Sequence, residues 1–111
     1  MNVRLSKESV RFRVSKEEFS GLIEGREILE ESRFATGSIR YSVKQGSSLS
    51  FVLQENELAF NIPQDQIEAL SRLLGDKNAR IRFDADAGEG RVIGVSLEVD
   101  LFSLKEDRPK R

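Results

Sequence analysis

VRLSKESVRFRVSKEEFSGL, Val3–Leu22, decides how this chain is read, because a degenerate copy of it, FVLQENELAFNIPQDQIEAL, returns as Phe51–Leu70. Laid over each other without a gap, the two stretches set Val3 on Phe51, Leu5 on Leu53, Val10 on Leu58, Phe12 on Phe60, Val14 on Ile62, Phe19 on Ile67 and Leu22 on Leu70. Only Leu5/Leu53, Phe12/Phe60 and Leu22/Leu70 are identical. A match of apolar pattern rather than of letters predicts one ββα unit used twice, with these positions in its core.

Within the first copy, Val3 and Leu5 alternate with Asn2 and Arg4, and Val10, Phe12 and Val14 with Arg11 and Arg13. Period two of this kind makes half-buried strands, joined here through Ser6–Ser9. Ser15-Lys16-Glu17-Glu18 is a capping box, and the helix it starts shows Phe19, Leu22 and Ile23 on one face, runs about three turns and stops at Gly25. A strand over Arg26–Phe34 follows, with Ile28, Phe34 and Leu29 as core candidates. After a turn at Ala35–Gly37, Ile39, Tyr41 and Val43 alternate as a further strand.

Gln45–Ser48 is a Gly/Ser-rich connection between the copies rather than a domain boundary, since neither half is large enough to bury its own faces. In the second copy Leu49, Phe51 and Leu53 lead to a turn at Glu55-Asn56, and Leu58, Phe60 and Ile62 return from it. Pro63 opens a helix with Ile67, Leu70, Leu73 and Leu74 as its buried stripe and Gly75 as its stop. Ala79, Ile81 and Phe83 predict a strand, Ala85–Gly90 a loop, and Ile93, Val95, Leu97 and Val99 the last strand.

The chain is thus expected to be one domain over residues 1–104, with pseudo-repeats 1–46 and 49–102 and a charged, mobile tail at 105–111. The predicted fold class is α+β: an internally duplicated ββαββ whose eight short, mainly antiparallel strands form a closed or half-open barrel with two short helices. Closure would also remove free sheet edges.

Composition limits the chemistry. Cysteine and histidine are both absent from the 111 residues, so disulfide, thiolate and imidazole chemistry are removed together with most transition-metal sites. No cofactor is implied. The formal net charge is -1, so no global field recruits a polyanion or an anionic membrane. No apolar run has the length of a signal peptide or membrane span, and the expected setting is the cytoplasm.

Two resemblances enter here. The order of two strands, a helix, several strands, a second helix and a final return is similar to the cyclophilin-like barrel, which implies either a prolyl isomerase or a ligand pocket at a barrel mouth. The histidine and tryptophan of that family have no counterpart in this sequence. Its arginine beside an aromatic groove is also not matched, since Arg11-Phe12, Arg33-Phe34 and Arg82-Phe83 are adjacent pairs whose members point to opposite faces. Secondly, SVRFRVSKEE, FATGSIRYSV and LEVDLFSLKEDRP resemble recurrent segments of a small bacterial family of unknown function. Val99 stands where that family has lysine, and Ser103 where it often has cysteine. The family brings no activity with it.

Arg4, Arg11, Arg13, Arg40, Arg80 and Arg82 all project from the outer faces of predicted strands and are the candidate binding residues. A basic sheet surface can meet phosphates, and nucleic acid is one possible partner. Against it, cross-strand pairing with Glu30, Glu31 or Glu98 accounts for the same arginines, and no exposed aromatic interleaves them as a single-strand platform needs. Asp84–Gly90 opens like a calcium loop, but Gly88 holds the fifth ligand position and Val95 replaces the bidentate glutamate, so it reads as a hairpin. Glu17/Glu18 and Glu30/Glu31 point apart, and Ser15, Ser32 and Thr36 have no histidine to activate them. The sequence therefore reads as a non-catalytic binding or structural module, a monomer or homodimer, with a protein or small molecule as its unidentified partner. A small cyclophilin-like enzyme or ligand-binding barrel and a nucleic-acid binder are the alternatives.

Overall fold

Alternation along Ser9–Ser15 buries Val10, Phe12 and Val14 on one face and leaves Arg11 and Arg13 exposed on the other. The computed structural model describes residues 1–76 and 79–101. The same alternation returns at Glu57–Ile62, which buries Leu58, Phe60 and Ile62, and the described residues form eight strands. These are β1 (Asn2–Leu5), β2 (Ser9–Ser15), β3 (Ile28–Phe34), β4 (Gly37–Gln45), β5 (Ser50–Gln54), β6 (Glu57–Ile62), β7 (Ile81–Gly88) and β8 (Arg91–Asp100). Helix α1 (Lys16–Ile23) lies between β2 and β3, and α2 (Gln64–Ser71) between β6 and β7. The predicted tail, 105–111, lies outside the described residues.

The strands form two four-stranded sheets, ordered β1-β2-β8-β7 and β3-β4-β6-β5. Outer pairs are antiparallel hairpins, while the central pairs, β2 with β8 and β4 with β6, are parallel. Replacing each strand by the one four places away turns the first order into the second. Each sheet therefore draws one hairpin from each half of the chain. The β1–β2 hairpin leaves the backbone groups of β2 unpaired on one side, α1 carries the chain away, and only β8 returns to satisfy them.

This corrects the expected barrel. Among the described residues no ladder joins β1 or β7 to β3 or β5, so the eight strands make two open sheets instead of a closed ring. Period two specifies which face of a strand is buried and is silent about closure.

The two inner faces and both helices share one core. Phe12 of the first sheet and Phe60 of the second meet with ring centroids 5.6 Å apart, and Phe51 stands edge-on to them at 6.1 and 6.4 Å. Phe19 and Leu22 of α1 and Ile67 and Leu70 of α2 are buried against this cluster. The capping box forms as the sequence predicts: the Glu18 amide donates to Ser15 Oγ at 3.0 Å and the Ser15 amide to Glu18 Oε1 at 2.9 Å. Both helices have eight residues, nearer two turns than three.

Several predicted core positions lie elsewhere. Leu5, Leu53 and Phe34 are more than half exposed although they fall on the inner alternation, because each lies in the last two residues of an edge strand. Leu29 points outward from β3 and Leu73 follows the end of α2, so neither is buried. The loop predicted at Ala85–Gly90 is mostly strand, since β7 runs to Gly88 and turns through Glu89 and Gly90, both at positive φ.

Candidate anion-binding face

Cross-strand register decides which outward side chains are neighbours. On the first sheet Arg4 is opposite Arg11, Arg11 opposite Ser96, and Ser96 opposite Arg82. One transverse row thus carries three arginines on strands about 4.8 Å apart. The next row holds Asn2, Arg13 and Glu98, with Arg80 just before β7. Five of the six arginines singled out from the sequence share this face. The sixth, Arg40, projects from the second sheet, 3.4 Å from Glu57.

Like charges directly opposite one another destabilise a sheet. Relief here is partial: Arg11 pairs with Glu98 at 3.1 Å, Arg13 stands 3.9 Å from Asp100, and among the described residues Arg4, Arg80 and Arg82 form no ion pair. Of the predicted cross-strand pairings with Glu30, Glu31 or Glu98, Arg11 with Glu98 forms; Arg40 pairs across to Glu57 instead, and Glu31 is taken by Arg33 of its own strand.

The second sheet shows that the fold does not require this arrangement. At the corresponding ladder positions its row reads Val52, Ala59, Ser42 and Leu29 in place of Arg4, Arg11, Ser96 and Arg82. Its carboxylates Glu57 and Glu31 are held by neighbours on the same sheet. The Ser42 hydroxyl donates to Glu57 at 2.7 Å, and with Arg40 beside it holds the Glu57 carboxyl below the ordinary range. Hydrogen bonds from Ser38 and Arg33 do the same for Glu31.

Small residues shape the first sheet's outer surface. Gly94 and Ser96 of β8 form the floor of a depression of about 220 Å³, with Ser9 and Arg11 of β2 along one side and Arg80, Arg82 and Asp84 along the other. Beyond Gly94 it meets a wider cleft of about 700 Å³, lined by Ala87, Val92 and Ile93 with Lys7, Glu8 and Arg91. Sequence reasoning found the arginines, weighed Asp84 only as the start of a calcium loop, and missed Gly94 and Ser96. The available signal was a glycine interrupting the strand Ile93-Gly94-Val95.

Residues 1–110 match the model of a family of unknown function, DUF7009. The chain belongs to that family. Membership of DUF7009 extends the likeness read from three segments to nearly the whole length, and it assigns no activity. Comparison with curated proteins finds no match. Among the described residues of this DUF7009 protein, no helix is long and apolar enough to cross a membrane.

Proposed function

We propose that this protein is a non-catalytic binding module that holds an oxyanion-bearing small molecule, phosphate above all, on the outer face of the β1-β2-β8-β7 sheet. The observation that carries this reading is the row Arg4, Arg11, Ser96, Arg82, in which opposed guanidinium groups face one another with too few carboxylates to pair them. Guanidinium presents a planar fork of donors that matches phosphate, and a bound anion would reverse the repulsion within the row. The matched sheet orders and the meeting of Phe12 with Phe60 support the further reading that the two halves descend from one duplicated ββαββ unit.

Titration of isotope-labelled protein with inorganic phosphate at low ionic strength tests the function. Amide shifts should saturate and cluster at Arg11, Ser96 and Arg82, and the double substitution Arg11→Gln with Arg82→Gln should abolish them. Absent shifts, or equal shifts around Arg40 and Lys44 on the other sheet, would overturn the proposal. Salt-sensitive retention of nucleic acid without a saturable phosphate site would also overturn it, in favour of a polyanion interface.

A further inference from the structure

Gly94 has no conformational or packing reason to be glycine. It lies inside β8 in regular register with Ser9 on one side and Asp84 on the other, and the ladder's irregularity is confined to Asp86/Gly88. Its φ is not positive. A Cβ added there would meet nothing nearer than the Glu8 carbonyl oxygen at 3.9 Å and an Asp84 carboxylate oxygen at 4.0 Å, both ordinary contacts. Glycine in a strand interior weakens it, and where no bulge, bend or neighbouring backbone demands it, close approach of a ligand remains as the reason. At the corresponding place in the second sheet stands Arg40, whose side chain lies across the strand to Glu57. A side chain at position 94 would likewise separate the arginine-flanked depression from the cleft beside Val92.

Three chemistries then follow one another along the same face of β8. Arg11, Ser96 and Arg82 offer donors to an anion. One row further, about 7 Å along the strand, the Asp84 carboxylate leans over Gly94 and accepts hydrogen bonds only. About 13 Å from Ser96, exposed Val92 lies in a cleft with Ile93 and Ala87, where Lys7, Glu8 and Arg91 add polar groups. This sequence of anion site, acceptor, and apolar surface with polar edges matches phosphate, hydroxyl-bearing sugar and heterocyclic ring.

Resting on the phosphate site proposed above, we infer that the groove along β8 binds a nucleoside phosphate, with its phosphate on Arg11, Arg82 and Ser96, its sugar hydroxyls donating to Asp84 over Gly94, and its base beside Val92. Calorimetric titration with inorganic phosphate, ribose 5-phosphate and adenosine 5′-monophosphate tests this. Affinity should rise in that order, by about tenfold or more from the first to the last. Gly94→Val should melt no lower than the parent protein and still bind inorganic phosphate, yet bind adenosine 5′-monophosphate no better than phosphate. Asp84→Asn should bind inorganic phosphate at least as well as the parent, because a repelling carboxylate is gone, and should lose the preference for ribose 5-phosphate over phosphate. If phosphate binds but the two esters bind no better, or if Gly94→Val leaves the order of affinities unchanged, the inference is overturned and the anion site stands. If inorganic phosphate does not bind, the anion site fails and the inference with it.

Discussion

Ser42 and Ser96 are buried polar residues at corresponding places on the two sheets, and their neighbours give them different work. Ser42 donates to Glu57, whereas Ser96 lies between Arg11 and Arg82. Since the folded-state pKa of Glu57 lies below its ordinary value of 4.5, its ionised form contributes stability that is present above that value and is lost as pH falls through the lowered one. Glu57→Gln and Ser42→Ala should each flatten the acid limb of a plot of melting temperature against pH, which scanning calorimetry from neutral to acid pH would show. Core positions give a second contrast. Phe12 and Phe60 are fully buried and touch each other, so replacing either by Ala should cost about 3–5 kcal/mol in urea denaturation. Leu53→Ala, at a residue 67% exposed, should change stability by no more than about 0.5 kcal/mol. The sequence marks Leu53 and Phe60 alike, because alternation reports the face of a strand and not its depth.

At the scale of single elements the sequence is most legible, because the interactions that define strands, caps and turns span only a few residues. The capping box of α1 is written in Ser15 and Glu18, and Ser15→Ala should lower stability by about 1 kcal/mol. The β5–β6 turn was legible in position but carries a cost that its letters only partly show. Glu55 and Asn56 have φ of 52° and 67°, the left-handed pair of a two-residue hairpin, and glutamate is poorly suited to that region. The double substitution Glu55→Asn with Asn56→Gly should raise the urea midpoint, by the equivalent of about 0.5–1 kcal/mol. Gly94 shows the limit of reading at this scale. Within the strand pattern it looks like a weak point, and only the open surface on either side of it gives it a use.

For the whole molecule, the exchange of hairpins ties the ends of the chain together: Val10 on β2 pairs with Val95 on β8. Neither half contains the partner that its own inner strand needs. Fragments divided in the connection after Gln45 should therefore show little native near-ultraviolet signal alone, and mixing 1–46 with 47–111 should restore it as a one-to-one complex in size-exclusion chromatography. If residues 1–46 by themselves gave a folded monomer, the shared core would be wrongly described. The exchange also builds the candidate site, since Arg4 and Arg11 come from the first half of the chain and Gly94, Ser96, Arg82 and Asp84 from the second. By itself the sequence determined the class of most elements, the buried face of the strands that alternate cleanly and the outward direction of the arginines, since all of these depend on side chains within a turn or two of one another. It failed at residues 85–88, which continue β7, and at Leu29, where β3 carries apolar residues on both faces. Only the tertiary structure decided that β2 finds β8, that the strands form two open sheets, and that five arginines gather on one of them while Arg40 goes to the other. Those outcomes turn on backbone hydrogen bonds between residues far apart in the chain and on the shape of a common core, which local periodicity does not encode.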